Sequence, residues 1–296
     1  MRKKGVFFLL MAGTLWGFMG FFVRNMMALG LDQVQVIFIK MLFGTVFLAS
    51  FFLIKDPSLF RVEWKHLWFF VASGLISQLG FNFFYYKAME VTTLALAGVL
   101  LYVAPGITML LSAALFREKI TIRKVVSLFV IFGGCACAGG VFGGELYLTF
   151  LGFFLCFIAA FCYALYSIFG RIAVNKGYRS YTITFYTMLF CLVGSLPLVN
   201  YGSIVEAMSP MLILFGFGLG VPCAAIACVF YNRGLQYVDA GEAAMLATME
   251  PVVAALVSVF IFGEPMTGWI LLGIALIIGG ICIMNYVPKR KNTHLT

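Results

Sequence analysis

APGITMLLSAALFREKIT, residues 104–121, and EPVVAALVSVFIFGEPMT, residues 250–267, decide the fold of this chain. At an offset of 146 residues Pro105 meets Pro251, Phe116 meets Phe262, Glu118 meets Glu264 and Thr121 meets Thr267. Gly133-Gly134 then meets Gly279-Gly280 at the same spacing. Matching extends outward through Gly74 with Gly220, Phe84-Tyr85 with Phe230-Tyr231, and Lys87 with Arg233. At an offset of 147, Ala12 pairs with Ala159, Arg24 with Arg171, Gly30 with Gly177, and Met41-Leu42-Phe43 with Met188-Leu189-Phe190. Alanine and leucine identities arise by chance in apolar sequence. A proline, a glutamate, a threonine and a Gly-Gly pair in one order at one spacing mark an internal repeat.

What surrounds these stretches is apolar. The 296 residues are 63% hydrophobic and 10% charged, against roughly 45–50% apolar and about 25% charged in soluble domains. A single globule still exposes much of its surface, so this excess must face lipid. That excludes an ordinary soluble enzyme and a disordered chain; it also excludes a nucleic-acid binder, whatever the net charge of +9 suggests. A membrane helix needs about 20 apolar residues. Ten stretches qualify: 5–23, 34–54, 67–86, 92–116, 123–142, 147–169, 180–200, 209–232, 240–262 and 268–287. Arg2, Lys3 and Lys4 before the first resemble a signal peptide, but Arg24 follows directly and no small-residue cleavage site ends the run. It is read as a retained span. The loops are too short to fold alone.

Charge placement tests the count. With ten spans, Arg2, Lys3, Lys4, Lys55, Arg61, Lys65, Arg117, Lys119, Arg123, Lys124, Arg171, Lys176, Arg179, Arg233, Lys289, Arg290 and Lys291 share the face that holds both termini. Only Arg24 and Lys87 fall on the other face, and Lys40 lies within a span. The positive-inside rule then makes the basic face cytoplasmic. Trp64, Trp68 and Trp269 occupy water-interface positions. The expectation is an all-α polytopic protein of two five-helix repeats, 5–142 and 147–287, followed by a basic cytoplasmic tail, 288–296. Five is odd, so the second repeat enters the membrane upside down. Inverted repeats are the plan of many secondary transporters, with substrate bound near the midplane where the repeats meet. A channel is the alternative.

The motif Met249-Glu250-Pro251-Val252-Val253-Ala254-Ala255-Leu256, then Phe262-Gly263-Glu264 and Gly279-Gly280, resembles the second repeat of the EamA family in the drug/metabolite transporter superfamily. Leu101-Tyr102-Val103-Ala104-Pro105, Glu118 and Gly133-Gly134 resemble the first. Arg117 departs from the family's glycine, which Gly263 retains, and is expected to alter the turn after the fourth span. The resemblance implies export or exchange of small metabolites, amino acids or related compounds, in a bacterial-type inner membrane.

Few polar groups lie inside the spans. Glu250, roughly 15 Å deep at 1.5 Å per residue, is a costly charge for lipid. It either braces the helix broken at Pro251 or couples protons or binds a cationic group. Pro105 and Pro251 mark symmetric helix breaks whose freed carbonyls need partners. Lys40 is expected to snorkel to the external face, ahead of binding substrate or pairing with Glu250. Gln78, Asn82 and Tyr86 share a helical stripe. With Trp16, Tyr102, Tyr163, Tyr166, Ser167, Tyr231 and Asn232 they are expected to form an aromatic cavity with few hydrogen-bonding groups. Gly13/Gly17 and Gly216/Gly220 are packing motifs, and Gly139, Gly140, Gly143 and Gly144 cluster late in the fifth span.

The eight cysteines all lie in apolar runs without metal or C-x-x-C spacing, and are read as unpaired hydrophobes. No phosphate-binding loop occurs; His66 and His294 lie outside the spans, and no aspartate sits at a span centre. No cofactor, metal or enzymatic activity is expected. The expected partners are the bilayer and a small-molecule substrate, with a homodimer left open.

Overall fold

The structure is a computed structural model describing residues 1–142 and 147–286, with only the backbone of Leu94. Among the described residues nine helices are long and apolar enough to cross a membrane. They are α1 (Arg2–Ala28), α2 (Gln33–Lys55), α3 (Trp64–Val91), α4 (Ala95–Phe116), α6 (Phe150–Asn175), α7 (Ser180–Leu198), α8 (Pro210–Gly234), α9 (Ala240–Phe262) and α10 (Gly268–Asn285). Between α4 and α6 runs α5 (Ile122–Ala138), 17 residues long, about 25 Å at 1.5 Å per residue. It stops four residues short of the expected 142, because Gly139 and Gly140 turn the chain, the latter at φ +79°. Gly143 and Gly144 lie outside the described residues.

The core is apolar, but the surface is too, and a set of polar side chains is buried with it. Phe150, Phe260, Leu53 and Ile122 are exposed, whereas Gln35, Ser73, Ser77, Asn82, Ser127, Ser167, Thr184 and Asn232 are buried. With lipid outside, apolar side chains gain nothing by turning inward, and polar ones find partners only against other helices. All eight cysteines are free thiols.

The repeated motif has a local explanation. Thr121 caps α5 by accepting from the Lys124 amide, and Thr267 caps α10 by accepting from the Ile270 amide. Before each threonine a helix ends on a left-handed residue: Gly263 at φ +71° and Arg117 at φ +59°. Arg117 therefore leaves the turn unaltered, contrary to expectation, and carries the strain a side chain meets there. Pro105 and Pro251 sit in the first turns of restarted helices, Ala104–Phe116 and Met249–Phe262, where amides have no acceptor inside the helix and proline removes nothing. The preceding halves, Leu94–Leu101 and Ala240–Ala247, end in tightened turns, Tyr102 N to Val99 O at 3.0 Å and Thr248 N to Met245 O at 3.3 Å. Further matched irregularities are π-helical stretches, Ser73–Gly80 in α3 and Val221–Ile226 in α8. Such widened turns frequently mark functional sites.

α1 runs past the expected residue 23 to Ala28 and is interrupted at Phe18, whereas its counterpart α6 is continuous. Arg24 and Lys87, expected in loops, thus lie on the ends of α1 and α3. α5 and α10 form an antiparallel pair at van der Waals distance: a Cβ on Gly273 would meet the Ala138 nitrogen at 2.5 Å and the Gly134 oxygen at 2.7 Å. The glycine pairs behave as packing motifs. A Cβ on Gly13 would strike the Ala247 oxygen at 2.6 Å, and one on Gly220 the Lys40 oxygen at 2.7 Å.

Replacing Arg117 with glycine should relieve the left-handed turn and stabilise the protein by about 1 kcal/mol, read as a higher thermal midpoint in detergent. Gly273→Leu should cost about 1–3 kcal/mol or more by forcing α5 from α10, read by the same melt.

Candidate functional site

Eight helices surround a cavity of about 880 Å³, to which α5 and α10 contribute nothing. α1 supplies Trp16, Met19, Val23, Arg24 and Met27; α2 supplies Gln33, Lys40 and Met41; α3 supplies Gln78, Phe81, Asn82, Tyr85, Tyr86 and Met89. Tyr102 comes from the break in α4, Tyr163 and Tyr166 from α6, and Thr184, Thr187 and Met188 from α7. Ala224 and Cys228 line it from α8, Glu250 from the break in α9, and Glu264 from the turn beyond. The walls respect the repeat: Trp16 and Tyr163, Lys40 and Thr187, Met41 and Met188, Gln78 and Ala224, Asn82 and Cys228 are matched positions that face the same space.

Of the expected site residues, Trp16, Gln78, Asn82, Tyr102, Tyr163, Tyr166 and Glu250 line this cavity. Tyr86 lines it too; Ser167, Asn232 and Tyr231 do not. Tyr231 stands behind Trp16 with ring centroids 5.2 Å apart, and its hydroxyl is 2.5 Å from Ser167 Oγ. Its repeat partner Tyr85 faces the cavity instead. Asn232 Nδ2 donates to Tyr166 Oη at 3.0 Å and to Thr184 Oγ1 at 3.1 Å, joining α6, α7 and α8. The α3 stripe is tied along its own helix: Asn82 Nδ2 donates to the Gln78 carbonyl at 2.5 Å, and Tyr86 Oη lies 3.5 Å from Asn82 Oδ1. Pro105 and Pro251 are buried in the first turns of their half-helices and do not line the space; the breaks they follow present Tyr102 and Glu250 to it.

Lys40 corrects the sequence reading. It does not snorkel outward but is buried and lines the cavity, 8% exposed. Neither Lys40 nor Glu250 has a side-chain hydrogen bond or ion-pair partner within 4 Å among the described residues. A lysine and a glutamate thus face one chamber without a direct ion pair between them. Both stand where the repeats differ, Lys40 opposite Thr187 and Glu250 opposite Ala104. Lining residues that the sequence did not single out, Thr184 and Thr187, sit three apart on α7, a polar pair in apolar surroundings. Arg24 and Glu264 were visible as repeat matches and read only as markers of topology and family.

On the face opposite the basic one the lining residues Arg24, Met27 and Glu264 are exposed, which sets the mouth of the cavity there. There Arg24 Nη1 donates to Glu264 Oε1 at 3.0 Å and its guanidinium stacks on Phe262 at 4.2 Å. The Ser258 hydroxyl, followed by Arg24, holds the Glu264 carboxyl below its ordinary 4.5. Its contribution is therefore complete above the unfolded-state pKa and is lost only as pH falls through the lowered value. Being half-exposed, the pair is screened and small in energy. The basic face is closed. Arg171 pairs with Glu118 at 3.4 Å, Lys124 with Asp239 at 2.5 Å, and Arg2 with Glu242. The acidic partners Glu118, Asp239 and Glu242 gather at the positive end of α9.

Asn232→Ala removes two buried hydrogen bonds and should lower stability by about 2 kcal/mol, measured by thermal unfolding. Lowering the pH from 8 to 6 should leave the Arg24–Glu264 pair intact, read as an unchanged coupling in a double-mutant cycle with Arg24→Gln and Glu264→Gln.

Comparison with known proteins accords with this geometry. The EamA-like transporter family model matches twice, over residues 3–139 and 150–286. A protein of Archaeoglobus fulgidus named as an uncharacterized transporter is 30% identical over 93% of this chain and 94% of its own. YxxF of Bacillus subtilis, named likewise, is 23% identical over 100% of this chain and 93% of its own. YicL of Salmonella typhimurium, named an uncharacterized inner membrane transporter, is 24% identical over 98% and 97%. A solved crystal structure 20% identical in sequence shares the fold, with a TM-score of 0.79 over 96% of this chain and 97% of that one. The chain belongs to the EamA-like transporter family.

Proposed function

We propose that this EamA-like transporter is a secondary carrier that exports small zwitterionic metabolites, amino acids or close relatives, by alternating access between its inverted repeats. The observation that carries this reading is the cavity between the repeats, closed at the basic face and holding an unpaired Lys40 and an unpaired Glu250. An α-amino acid brings a carboxylate for the ammonium of Lys40 and an ammonium for Glu250, so the bound ligand satisfies charges that are costly to leave alone. Trp16, Tyr85, Tyr102 and Tyr163 offer apolar faces for the rest of the molecule.

The charge bias of the loops supports a cytoplasmic basic face with both termini inside, and the likeness to a protein named an inner membrane transporter supports that membrane. Export is the direction the family resemblance favours. No ATP-binding loop is present in the sequence, so the driving force is a gradient, of the substrate itself or of protons through Glu250. Its place in the first turn of a half-helix also suits a bracing role, and that alternative predicts a different phenotype. A channel is the second reading.

Counterflow in proteoliposomes separates these. L-phenylalanine on the far side should accelerate entry of labelled L-phenylalanine, which a channel does not show. Lys40→Met and Glu250→Gln should each raise KM about tenfold or more, the loss of one charge-assisted contact. If Glu250 couples protons, Glu250→Gln also abolishes the pH dependence of net transport; if it braces the helix, that dependence survives.

A further inference from the structure

Two arginines and two glutamates among the repeat matches are paired across the repeats by the fold. Arg171 of the second repeat meets Glu118 of the first, and Arg24 of the first meets Glu264 of the second. The inverted repeat carries one pair onto the other, and they lie on opposite faces. We propose that they are the two halves of one latch, anchored alternately: Arg171–Glu118, tied to the helix ends, closes the basic face, and Arg24–Glu264, already paired, takes the matching anchors and closes the other when the basic face opens. This rests on the carrier reading above.

The shut half is visible. Arg171 and Glu118 side chains are 18% and 7% exposed. Glu118 also accepts the Ala240 amide with both oxygens, at 3.0 and 3.2 Å, binding the turn after α4 to the first residue of α9. Arg171 donates to the carbonyls of Leu235 and Val238 just beyond α8. Two charged side chains thus draw together the ends of α4, α6, α8 and α9, from both repeats.

The other half is paired but not anchored: Arg24 Nη1 donates to Glu264 Oε1 at 3.0 Å, and among the described residues neither side chain holds the backbone of another helix end as Arg171 and Glu118 do. Arg24 and Glu264 are 60% and 50% exposed and stand at the cavity mouth. The repeat frame states what closing requires. The counterparts of Ala240, Leu235 and Val238 are Leu94, Met89 and Thr92. In the inward-facing state Glu264 takes the first-turn amide at Leu94, and Arg24 takes the carbonyls of Met89 and Thr92. The interruption of α1 at Phe18, absent from α6, places Arg24 on a short segment, Met19–Ala28, that can swing. Met89 already lines the same mouth.

Cys228 offers a native reporter, since it lines the cavity. Its modification by a membrane-impermeant cationic methanethiosulfonate, located by peptide mass spectrometry in right-side-out and inside-out vesicles, reports which mouth is open. Wild type should label chiefly from the face opposite the basic one, and excess L-phenylalanine should raise labelling from the basic face. Glu118→Gln should raise basic-face labelling about tenfold without ligand. Glu264→Gln should hold labelling on the opposite face even with L-phenylalanine present. Glu118→Asp, which keeps the charge and the acceptor, should recover part of the wild-type sidedness relative to Glu118→Gln, which a merely misfolded variant would not. If Glu118→Gln and Glu264→Gln both label as wild type while L-phenylalanine still shifts wild-type labelling, the latch is wrong and the carrier reading stands. If the wild-type pattern never responds to L-phenylalanine and counterflow is absent, the carrier reading itself fails and the latch falls with it.

Discussion

In lipid every backbone amide and carbonyl must find its partner within the protein. That constraint governs where this chain can depart from a straight helix. The departures are few: the breaks at Tyr102-Val103 and Thr248, the π-helical stretches of α3 and α8, and the interruption of α1 at Phe18. All belong to helices that line the central cavity, where freed groups meet other helices or open space. α5 and α10, packed on each other outside the cavity, are unbroken. Irregular backbone is thus concentrated where a ligand would sit, and the proline-led half-helices aim their first turns at the same place.

The scaffold is symmetric but its charge is not. Trp16 with Tyr163 and Met41 with Met188 preserve size and character across the repeat. Lys40 with Thr187 and Glu250 with Ala104 do not. On the carrier reading proposed above, the two-fold frame offers related gating surfaces on the two faces, and Lys40 and Glu250 give the space between them a direction. The two demands occupy different positions of one duplicated fold.

Much of the architecture was legible in the sequence because lipid imposes a coarse rule: long apolar runs, basic loops on one face, and a repeat with rare residues in register. Span ends were less so. α1 continues through Arg24, since an arginine within a turn of the interface extends to water without ending a helix. The turn at Arg117 keeps the left-handed form that Gly263 has in the other repeat, because residue type biases such a turn without deciding it. Lys40 was placed at the surface for want of tertiary information: depth along a helix is readable from sequence, but which way the side chain faces depends on neighbours. Tyr231 was drawn into the cavity for the same reason. Thr184 and Thr187 went unremarked because two threonines in an apolar helix are equally consistent with ordinary packing.

The ion pairs of the basic face have a thermodynamic corollary. Lys124–Asp239 and Arg2–Glu242 join the repeats there, but their counterparts on the far face are Ile270 with Thr93, and Thr149 with Leu96. On the carrier reading proposed above, closing the basic side gains small attractions that closing the other does not, and these lean the resting population outward. A substrate arriving from the cytoplasm, on the orientation proposed above, meets a minority conformer and binds with its intrinsic affinity reduced by that fraction. A molecule arriving from outside meets the majority conformer and escapes this reduction. On the export reading proposed above, transport is then engaged chiefly as the substrate accumulates inside, the behaviour of an overflow valve.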